Sequence, residues 1–170
     1  HAEKIWDDIP VVTFTQSGRL SASFVTLMYP FPGAADPNAV NIRPIGVENG
    51  SGVIVRTPEG SDIVFYSTER CRAELPRRAA AFDGRAGLAR VADSSFAMID
   101  ATLMALEGRT LASADNPVEE LSVRYSPDEV EIVCPKEEPS LRIASLGRTK
   151  AVVNGRTRRV HAEMFAPFAP

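Results

Sequence analysis

The stretch LSVRYSPDEVEIVC, residues 121–134, decides the fold class. Leu121, Val123 and Tyr125 alternate with Ser122 and Arg124, so one parity is apolar and the other polar. A period of two puts the apolar side chains on one face of an extended strand, and a helix of 3.6 residues per turn would scatter them. Ser126-Pro127-Asp128 then supplies turn chemistry. Beyond it Val130, Ile132 and Cys134 resume the alternation, so the segment reads as two half-buried strands joined by a turn.

The same pattern continues on both sides. Downstream, Leu141-Arg142-Ile143 alternates, and Lys150-Ala151-Val152-Val153 meets Asn154-Gly155 before Arg156-Thr157-Arg158-Arg159-Val160. Asn-Gly between β-prone runs marks a type I′ hairpin, whose two central residues both need positive φ. Upstream, Asn49-Gly50 leads into Gly52-Val53-Ile54-Val55-Arg56, and Pro58-Glu59-Gly60 turns into Asp62-Ile63-Val64-Phe65-Tyr66. Ala39 to Ile45 alternates weakly, while Val11 to Thr15 and Ser23 to Tyr29 are β-prone runs, the second closed by Pro30, Pro32, Gly33 and Pro37. Asp83-Gly84-Arg85 reads as another turn.

Two segments pull towards helix. Ser94 to Gly108 (SSFAMIDATLMALEG) has an N-cap serine, apolar residues at Phe96, Ile99, Leu103 and Leu106, and a glycine at the C-cap position. Thr68 to Leu75 reads as a short helix stopped by Pro76. The expected fold is therefore all-β, an antiparallel β-sandwich in one domain spanning residues 1–170, with room for one short helix.

Composition excludes several function classes. Of the 170 residues 44% are hydrophobic and 24% charged, ordinary values for a globular chain long enough to bury a core. A net charge of -3 gives no electrostatic reason to expect nucleic acid or an anionic membrane as partner. The arginines are scattered among acids, and pairs such as Arg77-Arg78 and Arg158-Arg159 read as solvated faces. No apolar run reaches the about 18 residues of a membrane-spanning helix. HAEKIWDD at the start has neither the basic nor the apolar region of a signal peptide, and with no initiating Met the chain is expected to be a fragment of a larger polypeptide.

Cys71 and Cys134 are too few for a disulfide framework. Cys134 reads as a small buried hydrophobe, with a Cys71–Cys134 bridge as the alternative in an oxidising compartment. His1 and His161 form no HxxxH pair, so no metal site or other cofactor is expected within this chain; His161 reads as a surface residue. Asn49-Gly50-Ser51 satisfies the glycosylation sequon, although a turn explains it as well.

Several stretches, in order along the chain, resemble the C-terminal portion of heparinase II/III-like polysaccharide lyases. Thr26-Leu27-Met28-Tyr29-Pro30 resembles that family's T-V-L-Y-P strand, and Asp83-Gly84-Arg85-Ala86 with Arg90 its D-G-R-x-A-x-x-R strand. Met98 to Leu103 is similar to its L-x-x-G-T-x-L strand, with Ala101 in place of the glycine, which sets a strand reading of residues 94–108 against the helix drawn from propensity. Ala151 to Gly155 resembles its V-x-V-N-G hairpin.

The resemblance implies a helical toroid, a central β-sandwich and a smaller β-domain, acting together by β-elimination at a uronic acid. That chemistry needs a neutralised carboxylate, a base for the adjacent proton and an acid for the leaving oxygen. In the family those groups, and a zinc site, lie upstream of the part matched here, so no catalytic residue carries over and zinc is expected only in the full-length protein. The resemblance thus implies an accessory β-domain, inactive alone, periplasmic or secreted, meeting an anionic polysaccharide through the full-length enzyme and packing on upstream helical and β-domains. Such a domain should bare an apolar patch. Trp6, Tyr29 and Arg85 are the candidate carbohydrate-binding residues. A free-standing carbohydrate-binding module, which would expose two or three aromatic rings together, and an immunoglobulin-like interaction domain are the alternatives.

Overall fold

A computed structural model describes residues 39–47, 49–75 and 80–168, all within one compact unit that spans residues 31–170. The expected strands Val11–Thr15 and Ser23–Tyr29 and the candidate residues Trp6 and Tyr29 lie outside the described residues. Eleven strands form a single hydrogen-bonded sheet: β1 (Asn41–Val47), β2 (Gly50–Thr57), β3 (Gly60–Glu74), β4 (Ala80–Arg90), β5 (Phe96–Leu106), β6 (Arg109–Tyr125), β7 (Glu129–Val133), β8 (Arg142–Ala144), β9 (Lys150–Val153), β10 (Arg156–Arg159) and β11 (Met164–Phe165). The fold is all-β, as the alternation requires. Where two sheets were expected, every strand among the described residues belongs to one connected network.

From β1 to β7 the strands pair antiparallel with their sequence neighbours. The sheet then branches at β6, whose C-terminal end pairs with β7 while Ala112 and Ser113 pair with β8 and thence β11. The β7 arm continues through a parallel pairing to β9 and ends in the β9–β10 hairpin. Its turn is the one read from the sequence: Asn154 and Gly155 have φ of 47° and 79°, both in the left-handed region of a type I′ turn. The β1–β2 turn holds Asn49 at φ 55°.

Both expected helices are strands. Residues 96–106 form β5, and Glu107-Gly108 is a tight turn into β6 with φ of 52° and 76°. Thr68 to Glu74 continues β3. Asp83-Gly84-Arg85 is not a turn either; it lies within β4, where the pairing to β5 slips between Asp83 and Ala86.

Those slips organise the core. Register shifts fall at Tyr66/Cys71 on β3, Asp83/Ala86 on β4 and Ala101/Leu103 on β5, so a line of bulges crosses three neighbouring strands. Bulges bend a sheet and sharpen its twist. Here the bend brings the sheet's inner face onto itself: Phe65 on one side of the line stacks on Phe82 from the other, ring centroids 5.4 Å apart and planes within 5°. The two glycines beside that stack make the approach feasible. A Cβ on Gly84 would stand 2.3 Å from the Ala101 Cβ, and one on Gly87 would stand 2.7 Å from the Phe82 ring. One apolar core results, containing Phe65, Phe82, Met98, Met104, Leu121, Ile132 and Ile143, none more than 1% exposed. Each such side chain is stabilised by about 1.5–3 kcal/mol on leaving water.

Polar clamps fix the branches. Tyr125 Oη donates to the Ala144 carbonyl at 2.9 Å, tying the β7 arm to the β8 arm inside the core. The Asn154 side chain accepts from Cys134 N and donates to Cys134 O, both at 2.9 Å, holding the end of β7 against the β9–β10 turn. Cys71 and Cys134 are buried free thiols, so the bridge alternative is not realised. Among the described residues the exposed strand β10 (RTRR) and β1 with Pro44 stand at opposite ends of the strand order, and charge or proline at such a position discourages edge-to-edge pairing.

Candidate functional site

Two surface features stand out, and they differ in chemistry. The first lies on the outer face of β3, β4 and β5. Val64 pairs with Leu88 and Tyr66 with Ala86; across the next ladder Leu88 pairs with Ala97 and Ala86 with Ile99. Directly opposed residues point to the same face, so these six side chains form one apolar block. Tyr66 is 49% exposed, Leu88 40% and Ile99 48%. They line a shallow groove of about 240 Å³ whose other walls are Phe65, Gly87 and Met98. Alternation predicts polar residues on a solvated outer face, and this block breaks that rule. It ends at β6, where Ser122 and Glu120 oppose Ala97 and Ile99.

The second feature is a cleft of about 530 Å³, lined by both charged and apolar residues, where three chain reversals meet. Arg109 comes from the β5–β6 turn, Ser145 to Thr149 from the β8–β9 connection, and Val160 to Glu163 from the segment after β10. Arg148 is anchored within it. Its Nε donates to Ser126 O at 2.9 Å, its Nη1 donates to Leu146 O at 2.8 Å, and its guanidinium carbon lies 5.4 Å from the centre of the Tyr125 ring. Burial pushes the Tyr125 phenol well above its ordinary range, opposed only in part by the Arg148 charge, so the ring stays neutral. The supporting backbone is also locked: Arg148 N donates to Ser145 O at 3.0 Å and Ser145 N to Glu163 O at 2.7 Å.

Of the sequence candidates, only Arg85 can be placed. It is exposed on β4 at the register slip. The adjacent Asp83 carboxylate is engaged by Arg70, whose Nη2 donates to Asp83 Oδ1 at 3.0 Å and to Thr102 Oγ1 at 3.1 Å. Arg85 belongs to neither the apolar block nor the cleft. His161 is exposed, as expected, but it lines the cleft beside Arg109 and Arg148. Sequence reasoning missed those two arginines. They are 39 positions apart (148 minus 109), and no local pattern announces that two turns converge.

Near β7, burial and then the neighbouring Glu137, Glu138 and Glu120 raise the Cys134 thiol, whose Sγ donates to Lys136 O at 3.1 Å. Such a thiol is a poor nucleophile. Hydrogen bonds from the Ser140 hydroxyl and backbone hold the half-buried Glu138 carboxyl below its usual value, which marks a loop fastening, not an acid poised for proton transfer. Among the described residues no group of three or more His, Cys, Asp or Glu side chains is arranged to hold a metal ion. No helix there is long and apolar enough to cross a membrane. Compared with known proteins, the chain matches no family model, no curated protein and no solved structure.

Proposed function

We propose that this chain is an accessory β-domain of a heparinase II/III-like polysaccharide lyase, which cleaves a uronic-acid-containing polysaccharide by β-elimination, and that the domain supports catalysis without performing it. The observation that carries the reading is the apolar block of Val64, Tyr66, Ala86, Leu88, Ala97 and Ile99 on the outer face of β3–β5. A contiguous apolar patch on a sheet face is the mark of a surface that packs against something else. In this reading it packs against the upstream domains of the same polypeptide, which would carry the reacting groups and any zinc. The order of the sequence resemblances, from Thr26 to Gly155, supports the same assignment. The reading implies a periplasmic or secreted protein.

A free-standing carbohydrate-binding module is less well supported. Its platform would need several exposed rings together, and among the described residues Tyr66 is the large aromatic side chain exposed to solvent.

The test is turnover. The isolated chain, incubated with heparan, alginate and hyaluronan, should release no unsaturated uronate, while the longer polypeptide should release it from at least one of them. Release by the isolated chain would overturn the reading, because the chemistry would then reside in these residues.

A further inference from the structure

We propose that the cleft bearing Arg109 and Arg148 is a binding site for the carboxylate or sulfate group of an anionic saccharide, with these two arginines as its cationic contacts. The choice of a saccharide rests on the lyase reading above; the cation geometry stands apart from it.

Three observations converge on the cleft. Arg148 is set in place by its own protein before any ligand arrives. Two of its guanidinium nitrogens are committed to Ser126 O and Leu146 O, one face lies over Tyr125, and Nη2 has no acceptor among the described residues. A guanidinium fixed in this way loses little freedom when an oxyanion docks, and its planar fork suits a carboxylate or a sulfate.

The turn that carries Arg148 is unusual. Leu146 and Gly147 have φ of 50° and 83°. Glycine tolerates that region, whereas leucine rarely enters it. Asparagine or glycine would be the easy choice at position 146, as at Asn154 and Gly155 in the β9–β10 turn. Strained backbone of this kind gathers at binding sites, where the surrounding structure holds it. The strained residue here supplies the carbonyl that orients Arg148 Nη1.

Charge is segregated as well. Residues 148–161 contain Arg148, Lys150, Arg156, Arg158 and Arg159 and no Asp or Glu, although the whole chain has a net charge of -3; Arg148 lines the cleft, whereas Arg156 and Arg158 line a separate pocket with Glu137. Within this stretch Lys150 pairs with Glu129, while among the described residues no carboxylate lies within ion-pair distance of the four arginines or of Arg109. The cleft is lined by one acid, Glu163, against two guanidinium groups. Glu163 and Thr149 can meet sugar hydroxyls while the arginines take the acid group. Single-stranded nucleic acid is disfavoured because bases need exposed rings to stack on, and Tyr125, the aromatic side chain that Arg148 contacts among the described residues, is buried.

Proton–nitrogen correlation NMR of the labelled chain tests the site at constant ionic strength. The probes are a hyaluronan hexasaccharide, sodium sulfate, neutral maltohexaose and a short uridine oligonucleotide. The hexasaccharide should give saturable shifts at the amides of Arg109, Gly147, Arg148 and Thr149, and maltohexaose none. R148Q should weaken binding about tenfold, and R109Q, which removes an exposed side chain and spares the turn, should do likewise. Absence of saturable shifts with the hexasaccharide, or affinity unchanged in R109Q, overturns the proposal. So does saturation by sulfate with no response to the hexasaccharide, or tighter binding of the oligonucleotide, since each assigns the cleft to another ligand. Lyase activity is not read in this experiment, so its failure leaves the accessory-domain reading standing, and turnover by the isolated chain would defeat that reading without touching this one.

Discussion

Replacing Asn154 with alanine removes two kinds of stabilisation at one position. The side chain makes two hydrogen bonds of 2.9 Å to the backbone of Cys134, and the backbone sits at φ 47°, a conformation alanine adopts at a cost. Each neutral hydrogen bond contributes about 0.5–1.5 kcal/mol net, so the pair is worth about 1–3 kcal/mol. Forcing a Cβ-bearing residue other than Asn or Asp into the left-handed region adds about 1–2 kcal/mol. N154A should therefore lose roughly 3 kcal/mol. N154G separates the two parts: it forfeits the side-chain bonds but adopts the turn freely, and should lose roughly 2 kcal/mol. N154D keeps the acceptor for Cys134 N but sets an anionic oxygen where the donor to Cys134 O stood, so it should lose at least as much as N154G. Urea unfolding followed by tryptophan-independent far-UV circular dichroism gives the three values. If N154A unfolds within about 0.5 kcal/mol of the wild type, the clamp between the β9–β10 turn and β7 carries no weight and the parallel pairing is held by something else.

Three other perturbations have expected outcomes. G84A places a Cβ 2.3 Å from the Ala101 Cβ and 2.8 Å from its Cα, so backbone must move; a loss of about 3 kcal/mol, read as a fall in Tm of roughly 10 °C, is expected. Y125F leaves the buried Ala144 carbonyl without its donor and should cost about 1–3 kcal/mol at neutral pH. Because the folded phenol is raised above its ordinary value, its neutral form is favoured by folding; that contribution is complete below about pH 10 and is lost as the pH climbs, at up to about 1.4 kcal/mol per unit, so the wild type should show an alkaline decline that Y125F lacks. L88T and I99T change exposed positions of the apolar block and should alter the stability of the isolated chain by less than about 0.5 kcal/mol, read by urea unfolding.

The hairpins could be read from the sequence because their signals are local. Asn154-Gly155 demands positive φ at two successive residues, and the alternation from Leu121 to Cys134 shows its buried parity directly. Residues 94–108 were ambiguous for a physical reason. In β5 the buried positions are Phe96, Met98, Ala101, Met104 and Leu106, and two register slips shift their parity. A helix would bury Phe96, Ile99, Leu103 and Leu106, whereas the strand leaves Ile99 48% exposed and Leu103 half-buried; with apolar residues on both faces, the helical spacing can be drawn through side chains that do not share one face. Gly108 deepens the confusion, since a tight hairpin turn and a helix C-cap both ask for the left-handed region. Asp83-Gly84 misled in another way: Gly84 is required by the close approach of Ala101, not by a turn. The bulge line itself, which makes a single sheet close over its own core, depends on pairings between strands and leaves no mark in any one segment.

The candidate sites were legible to different degrees. An apolar outer face was expected of a domain made to pack against neighbours, but its position on β3–β5 needed the register, because Tyr66, Leu88 and Ile99 look like ordinary strand residues in sequence. The cleft was invisible, since Arg109, Arg148 and His161 come from separate reversals whose meeting is set by the branch at β6.

Hydroxyl-radical footprinting of Tyr66, Leu88 and Ile99 tests the docking role most directly. These side chains should be oxidised readily in the isolated chain and protected several-fold in the polypeptide that includes the upstream domains. Equal oxidation in the two samples would mean that the outer face of β3–β5 stays bare, and the case for an accessory domain would lose its foundation.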